Sequence, residues 1–145
     1  VIVATNAFGM GVDIPDISTV IHYGVPKDVD GYCQEIGRAA RSSSIKGKCY
    51  LLWGKADFLL NATFLRNITD PQEHSYQQKK SNSINQYVNN SSICRMYFLA
   101  RYFDPSLKTF KCAQCDICRR NTTSKKPKNM FENYVFESSI LCDGI

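Results

Sequence analysis

Four cysteines constrain this chain more than any other feature in it. Cys94, Cys112, Cys115 and Cys118 follow the spacing C-x17-C-x2-C-x2-C. Four thiolates satisfy tetrahedral Zn2+ at ~2.3 Å each, and C-x2-C turns let backbone N–H groups support the sulfurs. With four ligands and no open position, a metal held here is structural and contributes folding energy directly. An iron–sulfur cluster draws on the same ligand type, and unligated thiols are the plain alternative. The chain has seven cysteines in all, and Cys33, Cys49 and Cys142 stand alone. An odd count with one clustered set argues for metal chemistry in a reducing compartment rather than a disulfide framework.

The 145 residues suffice for one domain, or for a partial domain with a small metal-stapled module. No apolar run approaches the ~20 residues of a membrane span, so a membrane is not among the expected partners. The net charge of +5 is uneven. Residues 1–45 are near balance, whereas Lys108, Lys111, Arg119, Arg120, Lys125, Lys126 and Lys128 crowd together. Such a tract suits a polyanion such as nucleic acid, and also suits a solvated tail. The chain opens Val1-Ile2-Val3-Ala4-Thr5, with neither an initiator Met nor a basic-then-apolar leader. The expectation is a segment of a longer protein.

Along the chain, Val1–Thr5 reads as a short buried strand, followed by the glycine-punctuated loop Asn6–Gly11. Thr19–Tyr23 and Gly47–Trp53 read as further strands. Asp28–Ala39 is a helix candidate capped by Asp28, and Lys55–Arg66 a helix with Phe58, Leu59, Ala62 and Leu65 at helical spacing. His22 and Trp53 are expected to be core residues. Alternating β and α segments imply an α/β fold with a parallel sheet. At Asp70-Pro71 the character changes. Residues 72–92 are polar and only weakly helical in pattern, and Ile93–Phe103 is amphipathic. The expected organisation is 1–68, an α/β part; 69–121, a helical metal-binding part; and 122–145, a basic linker or tail.

Within 28–41, Gln34, Arg38 and Arg41 recur at i, i+4 and i+7, which on a helix puts them on one face. Two guanidiniums and an amide aimed together bind anions, since the planar fork of Arg matches phosphate oxygens. Gly37 is unusual inside a helix, where it costs roughly 1 kcal/mol against Ala, and implies close approach of a backbone or ligand.

In full context, Gln34-Glu35-Ile36-Gly37-Arg38-Ala39-Ala40-Arg41 resembles motif VI of superfamily 2 helicases. Ala4-Thr5-Asn6-Ala7-Phe8-Gly9-Met10-Gly11-Val12-Asp13 resembles their motif V in its RecQ form, and Val20–Pro26 resembles the strand RecQ proteins place between the two. Cys94-Arg95, Tyr102-Phe103 and Cys-x-x-Cys-Asp-x-Cys resemble the RecQ zinc-binding subdomain. The resemblance covers about residues 1–120 and implies a partial RecA-like parallel sheet with helices, followed by a small helical zinc-binding subdomain. It implies that the first zinc ligand lies on a helix and the others on a loop folding back.

The resemblance also implies roles. Arg41 would be the arginine finger reaching the γ-phosphate of ATP, with Arg38 and Gln34 beside it; Mg2+ and most of the nucleotide would be held by another lobe. Such a finger is worth ~10³–10⁵ in turnover in other phosphoryl-transfer enzymes. Asp13 and Gly11 would lie toward the nucleotide. Thr5, Asn6, Gly9 and Met10 would meet DNA phosphates, and the zinc module would present Arg95, Arg101, Lys108 and Lys111 to DNA. Two departures stand out: Ala40 replaces a usual Gly and Ser42-Ser43-Ser44 a usual Asp-Gly, and Ile14 stands where Lys is common. The implied activity is ATP-driven 3′-to-5′ unwinding of DNA, acting on single strands and duplex junctions in recombination, repair and replication. Its location would be the nucleus, or nucleoid or cytoplasm in a source without one. The rival is a non-catalytic zinc-bearing nucleic-acid-binding module, because these residues contain no phosphate loop and no acidic Mg2+-holding motif. A superfamily 2 RNA helicase is a third reading, disfavoured by the four cysteines.

Overall fold

The computed structural model describes residues 1–5, 14, 16–41, 45–120 and the backbone of 136–138. Strand β1 (Thr19–Tyr23) pairs in parallel with β2 (Lys48–Leu52), from Thr19 opposite Lys48 to Tyr23 opposite Leu52. Helix α1 (Val29–Ile36) makes the crossover between them. The chain leaves β1 through Gly24 at φ 109°, a backbone that β-carbons resist, and the Gly24 N–H donates to the Leu52 carbonyl at 2.7 Å. Asp28 caps α1 by accepting the Gly31 N–H at 2.8 Å. Helix α2 (Lys55–Arg66) follows β2, its first turn closed by the Gly54 N–H donating to Asp57 at 2.8 Å.

Beyond residue 70 the chain is helical. Helix α3 (Pro71–Asn89) begins with Pro at its first position and with Asp70 accepting the Gln72 N–H at 2.8 Å. It is far more regular than its polar sequence implied, because only a narrow stripe, Ser81, Ile84, Tyr87 and Val88, is buried. Hydrogen bonds four residues apart, Gln77 to Glu73 and Gln78 to Asn82, support the exposed side. Helix α4 (Arg95–Phe103) and the short α5 (Asp116–Arg120) complete the metal-binding part.

One core runs across the compositional boundary at 68/69. Val29, Tyr32, Ile36 and Ala39 meet Cys49 and Leu51 of β2, Ile84, Tyr87 and Val88 of α3, and Leu99 of α4. Each such side chain contributes roughly 1.5–3 kcal/mol by leaving water. The Tyr32 and Tyr87 rings lie 5.3 Å apart at the centre of the joint. At its rim Asp30 receives the Tyr102 hydroxyl at 3.0 Å and the Lys80 ammonium at 3.1 Å, so α1, α3 and α4 converge on one carboxylate. The hydrogen bond to Asp30 raises the Lys80 pKa above its ordinary value.

Three expectations are corrected. Val1–Thr5 forms no strand: Val1, Ile2 and Val3 are exposed, and the open edge of β1 is not paired with them. A strand without a hydrogen-bonded neighbour gains nothing over coil. Helix α1 ends at Ile36 rather than Ala39, and Gly37–Ala40 is a turn. The parallel β1–β2 pair is the sheet expected, and β3 (Phe136–Ser138), from the expected linker, adds to it antiparallel to β2. Leu59 of α2 is 71% exposed, although Phe58 packs on the core through Trp53 at 5.4 Å.

Candidate metal centre and arginine-bearing turn

Cys94 sits at the N-cap of α4, Cys112 in the returning loop, Cys115 just before α5 and Cys118 inside it. All four Sγ atoms lie within 4.8 Å of one another. A single-ion tetrahedron with ~2.3 Å bonds has edges of ~3.8 Å, so the set closes on one ion with small side-chain adjustments. A cluster of several irons spreads its thiolates wider than one ion does. Backbone N–H groups already face the sulfurs: Cys112 donates to Cys94 at 3.3 Å, Cys115 to Cys112 at 3.3 Å and Cys118 to Cys115 at 3.4 Å.

The electrostatics ask for a cation. Burial, then the neighbouring Cys115 thiol, push Cys118 up to about 12. Burial likewise raises Cys112. Burial also opposes ionisation of Cys94, yet the N–H groups of Tyr97 and Cys112 and the adjacent thiols hold it below the ordinary thiol value. Packed thiols of this kind ionise together only around a positive ion, and the donor set suits Zn2+. Burial and Asp30 raise the isolated Cys33 to about 11, and Cys49 is 1% exposed, so neither has the character of a reactive thiol.

Arg95 is where the sequence reading fails most clearly. It was expected to face DNA, but it is 1% exposed. Its Nε and Nη2 donate to the two Asp116 oxygens at 3.0 and 3.1 Å, and its Nη1 to the Tyr87 carbonyl. A guanidinium so enclosed joins α3, α4 and the metal loop, and contacts no solvent. The residue the sequence reading overlooked is Asp116, whose place between Cys115 and Cys118 was the only signal. Arg101, Lys108 and Lys111 are exposed, as binding to a polyanion requires.

In the α/β part, the three-residue face dissolves with the helix end. Gln34 lies exposed in α1, Arg38 half-buried in the turn, and Arg41 exposed after it. Ala40 adopts φ 58°, is 2% exposed, and its N–H donates to the Ile17 carbonyl at 2.8 Å. Arg41 is therefore placed by a turn pinned to the segment before β1, not by helical periodicity. Gly37 faces its own chain rather than a ligand: an added β-carbon would meet the Cys33 carbonyl oxygen at 3.0 Å. His22 is half-buried, with Nε2 2.6 Å from Glu35 and its ring 5.0 Å from Tyr32. Thr5 is exposed. Asn6, Gly9, Met10, Gly11 and Asp13, with Ser42–Ser44, lie outside the described residues.

Residues 1–43 match the family model described as helicase conserved C-terminal domain, and residues 55–119 that described as RecQ zinc-binding. A protein of Acanthamoeba polyphaga mimivirus named as an ATP-dependent RNA helicase is 39% identical, over 87% of this chain and 24% of its own length. The mouse bifunctional 3′-5′ exonuclease/ATP-dependent helicase WRN is 40% identical, over 81% of this chain and 9% of its own. The Caenorhabditis elegans RecQ-like DNA helicase blm-1 is 34% identical, over 97% of this chain and 15% of its own. The chain thus spans less than a quarter of the length of each of these relatives. With a helicase C-terminal segment leading directly into a four-cysteine zinc site built on the same core, the chain belongs to the RecQ family of helicases.

Proposed function

We propose that this chain is the phosphate-sensing and zinc-stiffened part of an ATP-driven DNA helicase that moves 3′ to 5′. The observation that carries the reading is the shared core. Tyr32 and Ile36 of the helix that leads to Arg38 and Arg41 pack against Tyr87 and Leu99, which in turn carry Arg95 and the zinc ligands. A charge change at the nucleotide is thereby coupled through packed side chains to the zinc module.

In this reading Arg41 is the finger on the γ-phosphate, and Arg38 and Gln34 line the same interface, with Asp13 and Gly11 on the nucleotide side. ATP and its Mg2+ rest mainly on another lobe. Thr5, Asn6, Gly9 and Met10 take DNA phosphates, and Arg101, Lys108 and Lys111 extend that track, while Cys94, Cys112, Cys115 and Cys118 hold zinc. Arg95 leaves the DNA set and becomes the zinc module's internal tie. Residues 1–68 act as the end of the second motor lobe, 69–121 as the zinc subdomain and 122–145 as the connection onward. Work on DNA in repair, recombination and replication, and residence with that DNA in the nucleus or nucleoid, follow from this substrate.

The test is strand displacement by the full-length protein on duplexes with a 3′ or a 5′ single-stranded tail. ATP-dependent opening of the 3′-tailed DNA alone is the expected result. Opening of the 5′-tailed substrate alone, or none with ATP, contradicts it. An RNA duplex belongs in the same series, because one relative is named as an RNA helicase; preferential opening of RNA would favour that second reading.

A further inference from the structure

The loop 107–111 holds a large ring at the surface between two cations. Lys108, Thr109, Phe110 and Lys111 are all exposed, and Phe110 keeps 40% of its surface in solvent. The ring is not loose. It meets the Tyr97 ring edge to face, with centroids 5.6 Å apart and planes at 80°. Tyr97 is 6% exposed, and its hydroxyl donates to the Leu107 carbonyl at 3.5 Å and receives the Thr109 hydroxyl at 3.2 Å. One residue further, the Cys112 N–H donates to the Cys94 sulfur at 3.3 Å. Both ends of the loop are therefore tied down, one to a buried tyrosine and one to the metal site. Arg101 follows Tyr97 by one turn, on the same face of α4.

We infer that Phe110 is a stacking platform for an unpaired nucleic-acid base, with Lys108 and Lys111 holding the phosphates on either side. The inference rests on the proposed nucleic-acid-binding function and adds the form of ligand this loop takes. Every base has a π-face, so an aromatic ring accepts any of them, while the lysines hold the backbone without regard to sequence. A duplex keeps its base faces stacked inside and offers such a loop phosphates alone. Phe110 therefore distinguishes a single strand or frayed end from duplex, and the lysines do not. A ring already ordered by Tyr97 loses little freedom when a base settles on it, which is the condition for a useful contact.

The test uses the zinc-loaded, full-length protein without nucleotide, titrated with a short single strand and with a blunt duplex of equal length. Phe110→Leu keeps the apolar contact with Tyr97 but removes the π-face; it should weaken single-strand binding about fivefold or more and leave duplex binding and salt dependence unchanged. Phe110→Trp should bind as wild type does. Lys108→Ala with Lys111→Ala should weaken both ligands and lower the salt slope by about two. In wild type, a single strand bearing 5-iodouracil, which photocrosslinks to rings stacked on it, should crosslink at Phe110; this readout does not depend on how any variant folds. Unchanged single-strand binding in Phe110→Leu, equal loss on duplex, or no crosslink at Phe110 overturns the inference alone. Failure of wild type to bind any nucleic acid overturns the functional reading and the inference together.

Discussion

At Ala40, with φ 58°, the β-carbon crowds the backbone at a cost of roughly 1–2 kcal/mol. The buried turn holds it there, with its N–H on Ile17. Ala40→Gly should raise the free energy of unfolding by about 1 kcal/mol, part of the relief being offset by glycine's freedom in the unfolded chain. Urea titration checks this, and a fall in stability would show that the methyl group packs more usefully than the strain costs. Arg95 and Asp116 give the opposite case. Removing one partner strands a buried charge, so Asp116→Ala should cost about 3–5 kcal/mol and loosen zinc, whereas Arg101→Ala at the exposed surface should change stability by less than about 0.5 kcal/mol. The sequence made Arg95 and Arg101 look alike. Nothing in residue type or spacing says which arginine is enclosed, because that depends on Asp116 returning to Arg95 across 21 residues.

For the elements, legibility followed local signals. Strand β1 and helix α2 have the bounds their β-branched run and apolar spacing imply, and the Asp28 cap marks the start of α1. Helix α1 stops short of Ala39 because Gly37 caps it and the Arg38 and Ala39 N–H groups turn back to the Glu35 and Ile36 carbonyls, a tightening that side-chain spacing does not signal. Helix α3 is more regular than its polar sequence suggests because its stability comes from four residues docked on a core supplied by other segments. The four cysteines were fully legible, since metal geometry requires their spacing. Metal removal should therefore have a local signature: amide protons of Cys112, Cys115 and Cys118, which donate to sulfur, should lose exchange protection when a chelator is added, ahead of those in β1 and β2. Acid should act in the same direction. Burial raises the Cys118 thiol and keeps it protonated without metal, so zinc binding must expel protons, and zinc affinity should fall as pH falls. Protection unchanged by chelation would contradict a structural ion.

Across the whole molecule, the turn that carries Arg38 and Arg41 and the four-cysteine module are two ends of one packed unit, and Asp30 with Lys80 and Tyr102 is its outer clasp. The Lys80 pKa is raised on folding, so its contribution to stability is full below the unfolded lysine value of about 10.4 and is lost as pH rises through the higher folded value. Lys80→Met should lower stability in urea titration by no more than about 1 kcal/mol, a partly exposed pair being weak. We propose that Arg41 completes a nucleotide site whose output reaches DNA. It is tested most directly by ATP hydrolysis of the full-length protein with saturating single-stranded DNA, comparing wild type with Arg41→Ala at equal DNA occupancy. Strong stimulation is expected in wild type and a loss of at least about a hundredfold in the variant, with DNA binding retained. Unstimulated wild type, or a variant that hydrolyses ATP as fast as wild type, would contradict it.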